Sequence, residues 1–454
     1  MPRRIRNHCP ARCAVLFLFV STLPTLAQTA QLNCRINQAS GNAPLTLTLQ
    51  DALARAKGLN PEYHAAATEA GLAKEDRVQS RAGLLPSASY NSSFIYTEGN
   101  GTTTGRFIAN NAVHEYLDQG DVHQSFSLAQ IADYRRTLAA EAAARARLEI
   151  AARGLVVTVV EAYYGFVVAQ RKYATAERAG TEAQYFFDIT QKLEQGGEVA
   201  HSDVIKAQIQ LQQQQRELQN ARLEMERSRI DLAVLVFPDF NENFSTVDDL
   251  QTPRSLPAFA EAQAAAADHN PEIRAALASF SEAKEEVKVA WNGFLPSLSI
   301  DWFYGIDASA FATRFIDPIL RRSVQGLGYA GTATLELPVW NWGANRSRVR
   351  QAELQREQAR VELTFAQRQL LGNLRKFYEE AEVTRSQLQS LQSSAQLAAD
   401  SLRLTTLRYQ AGEVSVLEVV DAQNTLTLAQ NAFDDGEVRY RVALANLQTL
   451  TGSF

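Results

Sequence analysis

The chain has 454 residues, with 45 Lys and Arg against 50 Asp and Glu and an ordinary globular share of charged residues, Gly and Pro. That length suits two or three ordinary domains, and an acidic balance makes nucleic acid a poor partner. At the N-terminus Arg3, Arg4 and Arg6 precede the apolar run Ala14 to Val20, and Ala27 offers a small residue for cleavage, so residues 1–27 read as a secretory signal peptide. Its removal takes away four Arg and no acid, leaving 41 basic residues against 50 acidic and a net charge of −9. Cys9 and Cys13 leave with it, so Cys34, in an N-terminal linker over 28–44, has no partner for an intramolecular disulfide. Gln31-Leu32-Asn33 lacks the small residue that lipoprotein signals place before the cysteine, which favours a free thiol over lipidation. No later segment is expected to reach the roughly 20 apolar residues of a transmembrane helix, so the exported chain either stays in solution or enters a membrane as strands.

From Leu45 the chain becomes periodic. Leu45, Leu47 and Leu49 alternate with Thr46 and Thr48, and Thr48 with Asp51 predicts a helix opened by a capping box. Asn60-Pro61-Glu62 predicts a second helix, as N-cap, first position and first-turn acid, ending before Pro86. Then Ala88, Tyr90, Ser92, Phe94 and Tyr96 alternate with Ser87, Ser89, Asn91, Ser93 and Ile95, and a return strand is expected at Val122 to Leu128, giving a strand pair at about 87–128.

No proline occurs between Pro86 and Pro238 or after Pro338, and both runs are rich in the residues long helices require. A helix from about Tyr134 to a tip at Gly196 would be about 93 Å long, and one from Gly343 to Gln410 about 100 Å. No globular core is that wide, so each must pack lengthwise against a return helix, Ser202 to Val236 and Ser415 to Leu450. The Gln208 to Gln215 stretch reads as a polar face of such a packed hairpin.

The two tips, at about 196–202 and 411–415, share one grammar: Gly197-Glu198-Val199 matches Gly412-Glu413-Val414, and Ala207-Gln208 matches Ala422-Gln423. At the second, Ala411-Gly412 ends one helix and Ser415 with Glu418 restarts the next as a capping box.

After a connector over 238–257 the pattern recurs. Asn270-Pro271-Glu272 repeats Asn60-Pro61-Glu62, and Phe294-Leu295-Pro296-Ser297 repeats Leu84-Leu85-Pro86-Ser87 at the same spacing. Leu298, Ile300, Trp302 and Tyr304 alternate with Ser297, Ser299, Asp301 and Phe303, and with a return strand at Tyr329 to Leu337 they make a second pair at about 297–339. The chain therefore reads as a tandem internal repeat, 45–237 and 258–454, each a helical start, a strand pair, a long helix, a tip and a return helix. Strands of about ten residues with one oily and one polar face are the signature of a transmembrane β-barrel, although a half-exposed soluble sheet carries the same pattern. Four strands cannot close a barrel and open edges are not tolerated in lipid, so a membrane reading makes several chains share one barrel; three chains would supply twelve strands.

At this point the chain resembles the TolC family of outer-membrane efflux proteins. The likeness covers Leu45 to Gly452 and rests on the Asn-Pro-Glu and Leu-Pro-Ser repeats, on Leu337-Pro338-Val339-Trp340 before the second long helix, and on the tip from Tyr409-Gln410-Ala411-Gly412 to Val419-Val420-Asp421-Ala422-Gln423. The resemblance implies a membrane α+β fold: a homotrimer with a twelve-stranded barrel in outer-membrane lipid, four strands from each chain, continued through the periplasm by a coiled-coil barrel of long helices. It also implies docking at the tips by a periplasmic adaptor (membrane fusion) protein and an inner-membrane transporter.

Glu418 and Asp421 lie three apart on one helix face inside the second tip, where the family projects acids into the periplasmic entrance. A trimer would ring that entrance with six carboxylates, favouring cations. Glu418 also has a local use as third residue of the capping box. The first tip carries Asp203 and Lys206 at the matching places. Tyr409 is kept from the family's entrance latch, whereas Val414 stands where some members place an arginine. Gly197, Val199, Gly412 and Val414 are the candidates for adaptor docking. Neither an enzyme nor a cofactor is expected: the six His form no metal spacing, and no nucleophile elbow, phosphate loop or zinc-protease motif is present. A structural coiled-coil envelope protein or adhesin stalk is the remaining alternative, and it leaves the duplicated strand pairs unexplained.

Overall fold

The computed structural model describes residues 45–96, 114–252, 254–308, 310–316 and 321–452. The expected signal peptide, the linker with Cys34 and the loop 97–113 lie outside the described residues. In chain order the elements are β1 (Leu45–Leu47), α1 (Leu49–Leu59), α2 (Pro61–Ala82), β2 (Ser87–Tyr96), β3 (His114–Phe126), α3 (Leu128–Gln195), α4 (His201–Val236) and β4 (Phe244–Thr246). There follow α5 (Phe259–His269), α6 (Pro271–Asn292), β5 (Ser297–Ala308), β6 (Arg314–Ile316), β7 (Ser323–Gln325), β8 (Leu327–Glu336), α7 (Ala344–Gln410) and α8 (Val416–Thr451).

The helix starts follow their local signals. Thr48 and Asp51 close a capping box on α1, and Asn60 and Asn270 each accept the backbone N–H three residues on, at 2.8 and 3.0 Å. Such caps contribute about 1 kcal/mol each. With 68 and 67 residues, α3 and α7 are about 100 Å long. Helix α3 packs against α2 and α4 along one flank and α6 and α8 along the other, and α7 packs on α6 and α8. The helices thus run in four lanes, two continuous and two built from shorter helices end to end.

The lanes meet β2, β3, β5 and β8, which form one antiparallel sheet in the order β2-β3-β5-β8. Its register aligns Tyr90 with Gly120, Gly120 with Tyr304 and Tyr304 with Tyr329, so the even-numbered positions of β2, β3 and β5 share a face with the odd-numbered positions of β8. That face is apolar and exposed: Phe126, Ile300, Trp302, Tyr304 and Leu335 all lie open. The other carries Asn91, Asp121, His123 and Asp301, with Asn91 donating to Asp121 and His123 Nδ1 2.5 Å from Asp301. A sheet with its oily face out and its polar face in is inverted relative to a soluble sheet.

Several boundaries differ from the sequence expectation. Strand β3 begins at His114 rather than Val122, because its early residues follow no apolar alternation and are held by pairing on both sides. It ends at Phe126, since Ser127 and Gln130 form a capping box that starts α3 at Leu128, ahead of the expected Tyr134. The loop of the second strand pair contains the β6–β7 hairpin. The connector holds β4, which pairs in parallel with β1.

One expectation is overturned: α3 does contain a stretch long and apolar enough, by length and composition, to cross a membrane. Its apolar residues, Leu155, Val159, Val160, Tyr163, Tyr164, Phe166 and Val167, are buried in the largest hydrophobic cluster, beneath β1, α1, β4 and the end of α4. A helix covered on several sides is apolar all round for that reason. Tyr163 ties this waist together, donating to the carbonyls of Leu47 and Val247 at 3.1 and 2.8 Å and accepting from Val247 N–H at 3.0 Å. Beside it Arg171 binds Asp248, Asp434 and Glu437 at 2.6, 3.0 and 2.5 Å, fastening the connector to α3 and α8.

Candidate entrance at the helical tips

Both tips end their long helices in the same way. At the first, Glu198 N–H reaches Leu193 O at 2.9 Å and Gly197 N–H reaches Glu194 O at 2.8 Å; at the second, Glu413 N–H reaches Arg408 O at 2.9 Å and Gly412 N–H reaches Tyr409 O at 3.0 Å. This is the Schellman closure, which needs a left-handed residue, and Gly197 and Gly412 supply it at φ of 77° and 73°.

A second hydrophobic cluster fills the space between the hairpins, with Phe186, Ala207, Leu402, Tyr409, Val416, Val419 and Ala422 buried. Val199 and Val414 are half-buried against this cluster, whereas the glycines, Glu198 and Glu413 beside them are exposed. Tyr409 is 4% exposed; its ring lies 5.0 Å from that of Phe186 and its hydroxyl donates to Thr190 Oγ1 at 3.3 Å. Burial, with a smaller contribution from Asp203, pushes its phenol above the ordinary value, against the lowering effect of the Thr190 bond. Behind the tip, Gln210 and Gln214 of α4 both donate to Asn424 of α8, at 3.0 and 3.3 Å. These two glutamines are buried, as expected for a packed face. Sequence reasoning did not single out Thr190, Phe186 or Asn424; the i, i+4 spacing of Gln210 and Gln214 is the one signal that pointed towards this contact.

Glu418 and Asp421 are both exposed on α8. Glu418 Oε1 accepts from Ser415 N–H and Oγ at 3.3 and 3.4 Å, the local capping role. Asp421 has no ion pair or hydrogen bond among the described residues. The corresponding acid of the first tip, Asp203, is matched by Lys206 at 3.1 Å. Uncompensated negative charge therefore gathers at the second tip, which offers a surface for cations and repels anions.

The family model described as outer membrane efflux protein matches residues 263–453. The alkaline protease secretion protein AprF of Pseudomonas aeruginosa is 24% identical over 407 residues, covering 87% of this chain and 82% of that protein. The outer membrane protein TolC of Escherichia coli is 22% identical over 414 residues, 87% of this chain and 80% of that one. Among solved structures, the outer membrane protein VceC of Vibrio cholerae superposes with a TM-score of 0.76 at 17% identity, over 89% of this chain and 96% of its own. The apolar-out sheet, the paired tips and these likenesses all indicate the TolC-like family of outer-membrane efflux proteins, channel proteins of the outer membrane that extend into the periplasm.

Proposed function

We propose that three copies of this chain assemble into one conduit, the outer-membrane exit duct of a tripartite efflux or type I secretion system, through which substrates pass passively. The observation that carries this reading is the sheet itself: its outward face is apolar while its edge strands, β2 and β8, have no further partner among the described residues. Lipid does not accept open edges, so the sheet closes with copies of itself, and three copies give a twelve-stranded barrel of ordinary size. The four helical lanes of each chain continue that barrel as a twelve-lane tube about 100 Å long. Residues 45–237 and 258–454 act as two structural repeats that supply matching lanes, joined by the connector.

At the far end of the tube Glu418 and Asp421 line the periplasmic entrance as six carboxylates, with Tyr409 holding the tip inward. Gly197, Val199, Gly412 and Val414 shape the tips for a periplasmic adaptor, through which an inner-membrane transporter delivers cargo. The test is native mass spectrometry of the detergent-solubilised protein followed by conductance in planar bilayers. A trimer with a small, cation-selective current is expected, growing or losing selectivity in Glu418→Ala with Asp421→Ala. A trimer that carries no current returns the protein to the structural-stalk reading.

A further inference from the structure

At the waist, a cleft of about 780 Å³ opens between residues 250–252 and 254–255 of the connector, α7 and α8. Three guanidinium groups line it: Arg254 from the connector, Arg385 from α7 and Arg441 from α8. Arg441 is 5% exposed, and its Nη2 donates to the carbonyls of Asp249, Leu250 and Thr252 at 2.6, 3.2 and 2.7 Å. Its Nη1 is buried with no hydrogen-bond partner, and among the described residues no carboxylate stands within ion-pair distance of it. Arg385 is exposed and also lacks an ion pair among those residues. Arg254 has Asp249 no nearer than 3.9 Å, and that carboxylate already accepts from Tyr164 at 2.9 Å. The acid in the cleft wall, Glu437, is held by Arg171 at 2.5 Å.

A buried cation without a counter-ion is costly, and the cost falls when an anion arrives. Guanidinium groups bind carboxylates in a two-pronged geometry that fixes orientation as well as charge. The cleft is larger than a bare ion needs and lies in the range of small-ligand pockets. Gln389 and Gln392 place amide donors and acceptors along it, and Tyr440 forms an aromatic wall. Amides beside guanidinium groups match a peptide main chain carrying acidic side chains.

We infer that this cleft binds a short acidic peptide segment. Its carboxylates sit on Arg254 and Arg385 in the positive field of Arg441, and its main-chain amides pair with Gln389 and Gln392. The inference stands on the cleft alone and does not depend on the channel reading.

The test is isothermal titration calorimetry of the full-length protein in detergent with acetyl-Glu-Ala-Glu-amide, beside the uncharged acetyl-Gln-Ala-Gln-amide. Saturable binding of the glutamate peptide is expected, weaker by about tenfold or more for the glutamine peptide and in Arg385→Gln and Arg254→Gln. Both arginines are open enough for the variants to fold. No binding, equal binding of the two peptides, or affinity unchanged in both variants overturns the inference. Protection of Arg385 from phenylglyoxal in the peptide-free protein overturns it too, because a second copy of the chain would then fill the cleft.

Discussion

Tyr409 on the last turn of α7 donates to Thr190 on α3 at 3.3 Å, and Thr190 hands its own hydroxyl hydrogen to the carbonyl of Phe186 at 2.8 Å. This relay fastens the second hairpin to the first within one chain, just behind the tips. Tyr409→Phe keeps the ring packed against Phe186 and removes only the bond, at a cost of about 1 kcal/mol. Single channels of this variant should open more often or conduct more, with unchanged helical circular dichroism. Conductance identical to wild type would assign closure to contacts between chains.

Glu418 has two roles that one substitution can separate. Glutamine serves as well as glutamate in a capping box, whereas alanine does not. Glu418→Gln should therefore lose cation selectivity while keeping thermal stability, and Glu418→Ala should lose both, the stability by about 0.5–1 kcal/mol. If Glu418→Gln retains full selectivity, the carboxylate does not face the permeating ion.

Gly412 and Gly58 make a pair with opposite expected signs. A Cβ at either would meet nothing within 4 Å, so neither substitution is limited by space. Gly412 sits at φ 73°, and Gly412→Ala should destabilise the tip by about 1–2 kcal/mol, read as faster amide exchange near it. Gly58 lies inside α1, where alanine is the better helix former, and Gly58→Ala should stabilise by about 0.5–1 kcal/mol.

What the sequence made legible was whatever a few neighbouring residues decide. The capping boxes at Thr48 and Ser415 and the glycines at both tips write their signals within four residues, and the helix ends at Gln195 and Gln410 followed from them. Strands β2 and β5 were legible because their alternation is strict. Contacts between distant residues were not. The pairing of β1 with β4 joins two three-residue strands too short to show a period. Arg171 meets Asp434 across 263 residues of chain, and Arg441 meets Asp249 across 192. The apolar run of α3 around Tyr163 and Tyr164 was passed over in the same way, because the sequence does not say that β1 and β4 will cover it.

Tyr163 gives the waist an alkaline limit. Burial, helped by Asp249, Asp248 and Asp51 and opposed by the Val247 N–H, pushes its phenol up to about 12 from an unfolded value of 10.0. A group whose pKa is raised in the folded state contributes stability fully present below the unfolded value and lost as pH rises through the folded one. Between pH 10 and 12 this one residue should remove about 2–3 kcal/mol. Tyr163→Phe should be less stable at pH 8, having lost its bonds to Leu47 and Val247, yet show a flatter decline above pH 10. Equal slopes for the two proteins in thermal melts across that window would place the alkaline weakness elsewhere.

Arg171 is the shared counter-ion of Asp248, Asp434 and Glu437, and its own pKa is held above the ordinary value by those three bonds, against the lowering effect of burial. Asp434 remains raised by burial even with Arg171 beside it. Arg171→Gln should therefore leave buried carboxylates unmatched and destabilise the waist by about 3 kcal/mol at neutral pH. The sign of the pH response follows from Asp434. Its folded pKa, already raised, climbs further without the guanidinium, so the protonated form is the one the fold prefers. Stability of the variant should fall as pH rises through that value and recover as pH is lowered towards 5, while wild type changes little over the same range. Melting temperatures of both proteins between pH 5 and 8 check this: a deficit that stays constant with pH would mean the loss is one of packing by the arginine side chain rather than of charge.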